Sequence, residues 1–313
     1  MPCTRLIVIA TAIVVNSAGS VFAQCPAGAA DQPVIASNQL EYATGQPKTL
    51  TLDTGDKIRK LGYIKSGDLA IIEGDIVLGD ARQLEFQAAS GPIRLHVPAA
   101  QADSGTDMHP FANALRSVVG GPQKWTDGII PYQIDPLLPQ HDIVLRAMTT
   151  WSDATPIKFV SLTPEIHSKY PNDVYFTWGD DPNACLSDYV GMNGGRQLVR
   201  LVSGCGYGEI LHEIGHVVAL EHEQNRSDRD SFVQLIKRNI LAGYEDQFQQ
   251  YLTEYMDIGP YDYDSIIHYQ STAFSCNGQS TLVATHLPPG IRLGQRDHLS
   301  QGDIEAVKSI YKK

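Results

Sequence analysis

The chain has 313 residues, 42% of them hydrophobic and 19% charged, which suggests two domains or one large domain with an extra segment and allows a sizeable core. Its formal net charge of -11 argues against nucleic acid or an anionic membrane as a main partner. At the start, residues 1–23 read as a secretory signal peptide: Arg5 supplies the positive end, Leu6 to Val15 is a short apolar run, and Val21-Phe22-Ala23 fits a small-residue cleavage site. That run is too short to span a bilayer and no later stretch approaches the necessary length, so no stable membrane insertion is expected. A lipid on Cys25 is the other option, but Gln24 is a poor residue to precede it. The protein is expected to be exported, either into a periplasm or out of the cell. Loss of the leader removes Cys3 and leaves Cys25, Cys185, Cys205 and Cys276, which permit disulfides in three connectivities.

Residues 24–116 form the first predicted unit. Between 33 and 97, Gly and Asp interrupt short apolar runs, and "KTLTLDTGDKIRKLGYIKSGDLAIIEGDIVLGD" reads as short strands and turns rather than helices. "PAAQADSGTDMHP" then marks an exposed linker over about 98–116. In the second unit, "GIIPYQI" is a predicted strand. Val144, Met148 and Trp151 recur at helical spacing, which predicts an amphipathic helix over Ile143–Asp153. "DVYFTW" (173–178) and "LVRLV" (198–202) are rich in strand formers. Glu209–Val218 is apolar on most sides and predicts a buried helix. Ser300 and Asp303 make a capping-box start for a last helix through Ile304, Val307, Ile310 and Tyr311. A sheet with a few helices implies an α+β class.

The buried helix carries the chemistry. His212-Glu213-Ile214-Gly215-His216 is H-E-x-x-H, and helical residues four apart share a face, so both imidazoles can bind one zinc with Glu213 beside it to take a proton from water. Two histidines and a glutamate could simply fill a buried helix, but such groups need polar partners there, and a metal is one. His222 would rise about 15 Å beyond His212 in a straight helix. It reaches the same metal only if the helix ends after His216 and the chain folds back, giving the three ligands plus water of a catalytic zinc.

The stretch "HEIGHVVALEHEQNRSDRD" resembles the extended signature of the astacin metalloendopeptidases, H-E-x-x-H-x-x-G-x-x-H-E-x-x-R-x-D-R-D, with Ala219 in place of the glycine. "KWTDGIIPY", "CLSDYVGMNGG", "SGCGYGEILHE", "YDYDSIIHY" and "GQRDHLSQGDIEAVKSIY" resemble further parts of that catalytic domain, so the resemblance covers residues 117–313. It implies a metzincin fold with a mixed sheet, a zinc helix and a C-terminal helix behind a β-rich prosegment. One Zn2+ per chain would be held by His212, His216 and His222. Glu213 would be the general base and then the acid, and Tyr269 an additional zinc ligand at rest that later hydrogen-bonds the oxyanion. Glu223 would contact the mature N-terminus, and Cys185 and Cys205 would pair. His268, Arg226, Asp228 and Asp230 would be structural. Ile267 stands where the family has its Met-turn methionine, and both cysteines of a second family disulfide are missing.

"IIEGDIVLGD" is similar to the family's prosegment motif F-x-G-D, which would make Asp75 the carboxylate that binds zinc in place of water. Gly-Asp pairs are also ordinary turn residues, and the chain has others at 55–56, 67–68 and 79–80, so both readings of Asp75 stand. Arg116-Ser117 is one candidate activation bond. Cys25 and Cys276 lack counterparts in the family and are expected as free thiols, with a bridge between the units as the alternative. The expected function is a secreted, monomeric zinc endopeptidase made as a zymogen and acting on protein or peptide substrates. Two alternatives are a catalytically impaired zinc-binding protein of the same fold, acting as a binding module, and a zinc hydrolase of non-peptide amides.

Overall fold

Alternating apolar residues between 46 and 80 form an antiparallel meander of four strands, β1 (Gln46–Asp53), β2 (Ile58–Ser66), β3 (Leu69–Ile72) and β4 (Ile76–Asp80). The computed structural model describes residues 25, 42–55, 57–94, 123–250 and 257–312. The expected leader, the linker over about 98–116 and the Arg116-Ser117 bond lie outside the described residues.

One helix follows directly on the stretch 48–80 that reads as short strands and turns. Asp80 ends β4 and caps α1 (Ala81–Ala88), its carboxylate accepting from the N–H groups of Arg82 (2.8 Å) and Gln83 (3.0 Å). The local signal for it is Asp80 followed three residues later by Gln83, the spacing of a capping box. The chain then returns as β5 (Ile93–Arg94) beside β1. Leu50, Leu52, Leu61, Tyr63, Leu78 and Leu84 pack as a core that Val190 of the second unit joins.

The second unit opens with β6 (Ile129–Ile134), followed by α2 (His141–Ala154), β7 (Lys158–Ser161), β8 (Asp173–Trp178), β9 (Leu186–Asp188) and β10 (Arg196–Leu201). α3 (Tyr207–Val217) follows, then β11 (Val233–Leu235), β12 (Leu282–Ala284) and α4 (Gln301–Ile310). The fold is α+β, with a mixed sheet and four α-helices among the described residues. Ser300 and Asp303 cap α4 reciprocally, as the sequence suggests. Trp151 of α2 is fully buried against α3 and donates from its indole N–H to the Leu211 carbonyl at 3.0 Å.

The two units share one ten-stranded sheet in the order β5-β1-β2-β3-β4-β9-β10-β8-β6-β7. The junction is a parallel pairing of β4 with β9, Ile76 opposite Ser187 and Val77 opposite Asp188. This register matters for the site, because the residue just before β4 is Asp75. Two disulfides hold the chain. Cys185 and Cys205 pair with Cα atoms 6.0 Å apart. Cys25 and Cys276 also pair, with Cα atoms 5.7 Å apart, so the expectation of free thiols is corrected. Their separation of 251 residues is the reason only the folded chain reveals the bridge. Among the described residues no helix is long and apolar enough to cross a membrane.

Candidate metal centre

α3 lies so close to its neighbours that Gly208 has no room for a side chain and Gly215 has little. A Cβ on Gly208 would stand 2.0 Å from the Arg296 carbonyl oxygen, and one on Gly215 would stand 2.8 Å from Ile267 Cδ1. His212 and His216 therefore project from a helix held in place by contact, one turn apart, with ring centroids 5.0 Å from each other.

The helix stops at Val217. Ala219 takes φ 79°, its N–H donates to the His216 carbonyl (2.9 Å), and the Leu220 N–H donates to the Gly215 carbonyl (2.9 Å). This pair of bonds is a Schellman end, which glycine ordinarily closes. Alanine in the left-handed region costs about 1–2 kcal/mol and the turn forms nonetheless. The turn puts the Leu220 carbonyl 3.0 Å from His216 Nδ1 and brings the His222 ring to 4.7 Å from that of His216 and 5.3 Å from that of His212.

All three imidazoles commit Nδ1 to an acceptor. His212 donates to the Ile266 carbonyl (2.9 Å), His216 to Leu220, and His222 to Glu73 Oε2 (3.0 Å). In a neutral ring that assignment leaves Nε2 as a lone pair. Every Nε2 turns toward the Asp75 carboxylate. His212 and His222 lie 3.0 and 3.1 Å from Oδ2, and His216 lies 3.5 Å from Oδ1. The four ligand atoms are all within 4.8 Å of one another and all four residues are buried.

His216 Nε2 and Asp75 Oδ1 thus face each other with no hydrogen-bond partner. Such an arrangement in a dry interior is costly without a cation among the acceptors. Three imidazoles and one carboxylate form a donor set suited to zinc, so the residues present fit that metal. Burial, reinforced by the Arg296 guanidinium, pushes His212 down to about 3 and keeps a proton off its Nε2. Burial opposes charge on His222 as well, but the Asp75 and Glu73 carboxylates outweigh it and hold that ring up to about 10. The field that would hold a proton there also favours a divalent cation.

Glu213 is buried on α3 between the two helical histidines, and its backbone carbonyl accepts from the Ser187 hydroxyl of β9 at 3.0 Å. Tyr269 is fully buried, its ring 4.7 Å from that of His222. Its hydroxyl donates to the Glu73 carbonyl. Glu223 accepts from the Asp262 N–H (2.7 Å) and faces Arg226, and burial lifts its carboxyl to about 8. His268 bridges the Tyr261 hydroxyl (2.8 Å) and the Tyr269 carbonyl (2.7 Å). Arg226 forks onto Asp228 with two 3.0 Å bonds, whereas Asp230 pairs with Arg229 at 2.7 Å.

Three supporting residues escape a reading of the sequence. Arg296 donates from Nη1 to the carbonyls of Ile266 (2.8 Å) and His268 (3.2 Å), bracing the loop under the helix. Asp303 reaches past its capping role to accept from Ser265 Oγ (2.6 Å) and the Ile266 N–H (2.9 Å). Glu73 orients His222, and its place two residues before Asp75 is the one signal that points to it.

A family model described as Astacin (Peptidase family M12A) matches residues 118–312. The dorsal-ventral patterning protein tolloid of Drosophila melanogaster is 38% identical over 65% of this chain and 19% of its own length. Zinc metalloproteinase nas-4 of Caenorhabditis elegans is 35% identical over 64% of this chain and 61% of its own. The chain thus spans less than two thirds of these relatives. Among solved structures, high choriolytic enzyme 1, a hatching enzyme zinc-protease from the medaka fish Oryzias latipes, superposes with a TM-score of 0.53 at 28% identity. That match covers 67% of this chain and 98% of the fish protein.

Proposed function

The chain belongs to the astacin family of zinc-dependent peptidases, and from that premise we propose that it is an exported endopeptidase made as a latent precursor, cutting peptide bonds within protein substrates. The observation that carries this reading is the convergence of three Nε2 atoms, two from α3 and one from beyond a turn, on a carboxylate of the N-terminal unit. His212, His216 and His222 would hold the zinc, which when bound supplies a Lewis acid that makes water acidic enough to attack near neutral pH. Glu213 would take the proton at its carboxylate and return it to the leaving amine. Tyr269, once its hydroxyl leaves the Glu73 carbonyl, would donate to the substrate carbonyl oxygen as negative charge builds.

Residues 24–116 would be the prosegment. Asp75 would exclude water by filling the ligand position that catalysis needs open, held there by the β4–β9 pairing. Latency would end when the chain between the units is cut. Two departures from the family pattern, Ala219 and Ile267, do not favour the impaired binding protein. Ala219 closes the full turn, and Ile267 fills the space beneath Gly215.

The test is proteolysis of an unfolded protein by the chain after cleavage between its units. Turnover should vanish on chelation and in Glu213→Gln, with zinc retained by that variant. Normal cleavage by a folded Glu213→Gln protein would overturn the mechanism.

A further inference from the structure

Tyr42 is 4% exposed although it lies in the N-terminal unit, because its ring is inserted into the second. It meets Tyr269 edge-on with ring centroids 4.8 Å apart and Phe274 at 5.0 Å. Phe274 continues the wall through Tyr244 (5.4 Å) and Phe248 (5.8 Å). At the polar end of the Tyr42 ring, the Gln270 N–H donates to its hydroxyl at 3.2 Å.

The second unit builds this pocket with its own bonds. The Phe274 carbonyl accepts from the Leu241 N–H (2.9 Å), and the Tyr269 N–H donates to Gln224 Oε1 (2.8 Å). The pocket also sits beside the reacting atoms. The Ala43 N–H donates to the Gly74 carbonyl (2.7 Å), which ties Tyr42 to the segment leading into Asp75, and Tyr269 forms both the pocket wall and the hydrogen bond to the Glu73 carbonyl. Gly74 is needed for this approach: a Cβ there would stand 2.7 Å from Phe274 Cζ and 2.9 Å from Tyr42 Cδ1.

We propose that the pocket walled by Tyr244, Phe248, Tyr269 and Phe274 is a substrate subsite for an aromatic side chain, and that Tyr42 fills it in the latent protein. The inference rests on the peptidase reading and adds the substrate class: proteins carrying Tyr or Phe within a few residues of the cut bond. Aromatic walls reward a flat ring by edge-to-face contact, and the Gln270 N–H rewards a hydroxyl at its tip. Aliphatic or charged side chains can use neither feature fully. Phe274 is the specificity-determining residue.

The experiment uses the full chain carrying Cys25→Ser, cleaved between the units so that the N-terminal unit is released. On a peptide library, one position near the cut should favour Tyr or Phe over Ala by about tenfold in kcat/KM. Phe274→Ala, or Phe274→Leu if the alanine variant does not fold, should collapse that ratio toward one. A profile without aromatic preference at any flanking position, or a ratio unmoved by both variants, overturns the inference while the peptidase reading stands. If nothing is cut, the peptidase reading falls and displacement of a labelled peptide decides the pocket. Tyr peptides binding about tenfold tighter than their Ala counterparts support it, and equal binding overturns it.

Discussion

Glu73 and His222, 149 residues apart, form a part-buried contact in which His222 Nδ1 donates to Glu73 Oε2 at 3.0 Å. The N-terminal unit thereby supplies both the carboxylate in front of the histidines and the group that orients one of them from behind. A residue that fixes the ring of a metal ligand commonly changes metal affinity about 10–100-fold when removed. Glu73→Ala in the uncleaved chain should therefore release zinc to a competing chelator at a concentration about tenfold lower than the parent. Identical release curves would show that Glu73 does not support the site.

Ala219→Gly should stabilise the chain. The residue stands at φ 79° at the end of α3, where glycine avoids a strain of about 1–2 kcal/mol. Part of that gain is offset by glycine's greater freedom in the unfolded chain, so a rise of about 2–4 °C in melting temperature is expected. A fall on calorimetry would mean that the alanine methyl makes a contact worth more than the strain.

Asp303 links the start of α4 to the loop beneath α3, accepting from Ser265, Ile266 and Ser300. Asp303→Ala strands these donors and should cost about 3 kcal/mol in denaturant melts. Burial lifts this carboxyl to about 6, against the hydrogen bonds that lower it. A folded value above the unfolded one of about 4 means that the stabilising contribution is full below pH 4 and lost as pH rises through 6. The stability advantage of the parent over Asp303→Asn should thus narrow between pH 4 and 7, by about 3 kcal/mol at most. A widening gap would show that the hydrogen-bonded carboxylate, not the acid, is the form that the fold prefers.

The Cys25–Cys276 bridge gives a simple prediction. After one cut between the units, the two pieces should migrate together on a non-reducing gel and separate with reductant. Cys276→Ser should separate them without it. Separation of the parent pieces without reductant would exclude the bridge.

Local spacing makes part of this protein legible in its residues alone. His212 and His216 share a face because a helix repeats every 3.6 residues, and Ser300 and Asp303 cap α4 by the same short-range logic. The need for a turn ahead of His222 also follows from helix rise alone. α1 is hard to read because it is short and carries its apolar residues sparsely; its cap at Asp80 is the only strong local mark. Other features have no local mark. Several Gly-Asp pairs look alike, and the parallel register of β4 on β9 alone delivers Asp75 to the three histidines. Cys25 meets Cys276, Glu73 meets His222 and Tyr42 enters the pocket of Phe274 for the same reason. The sequence by itself determined the helix that sets His212 and His216 on one face and the α+β class of fold, because helix geometry converts residue spacing directly into position. Only the tertiary structure decided which distant residues face that helix, because strand register and the closure of long loops depend on packing across the whole chain.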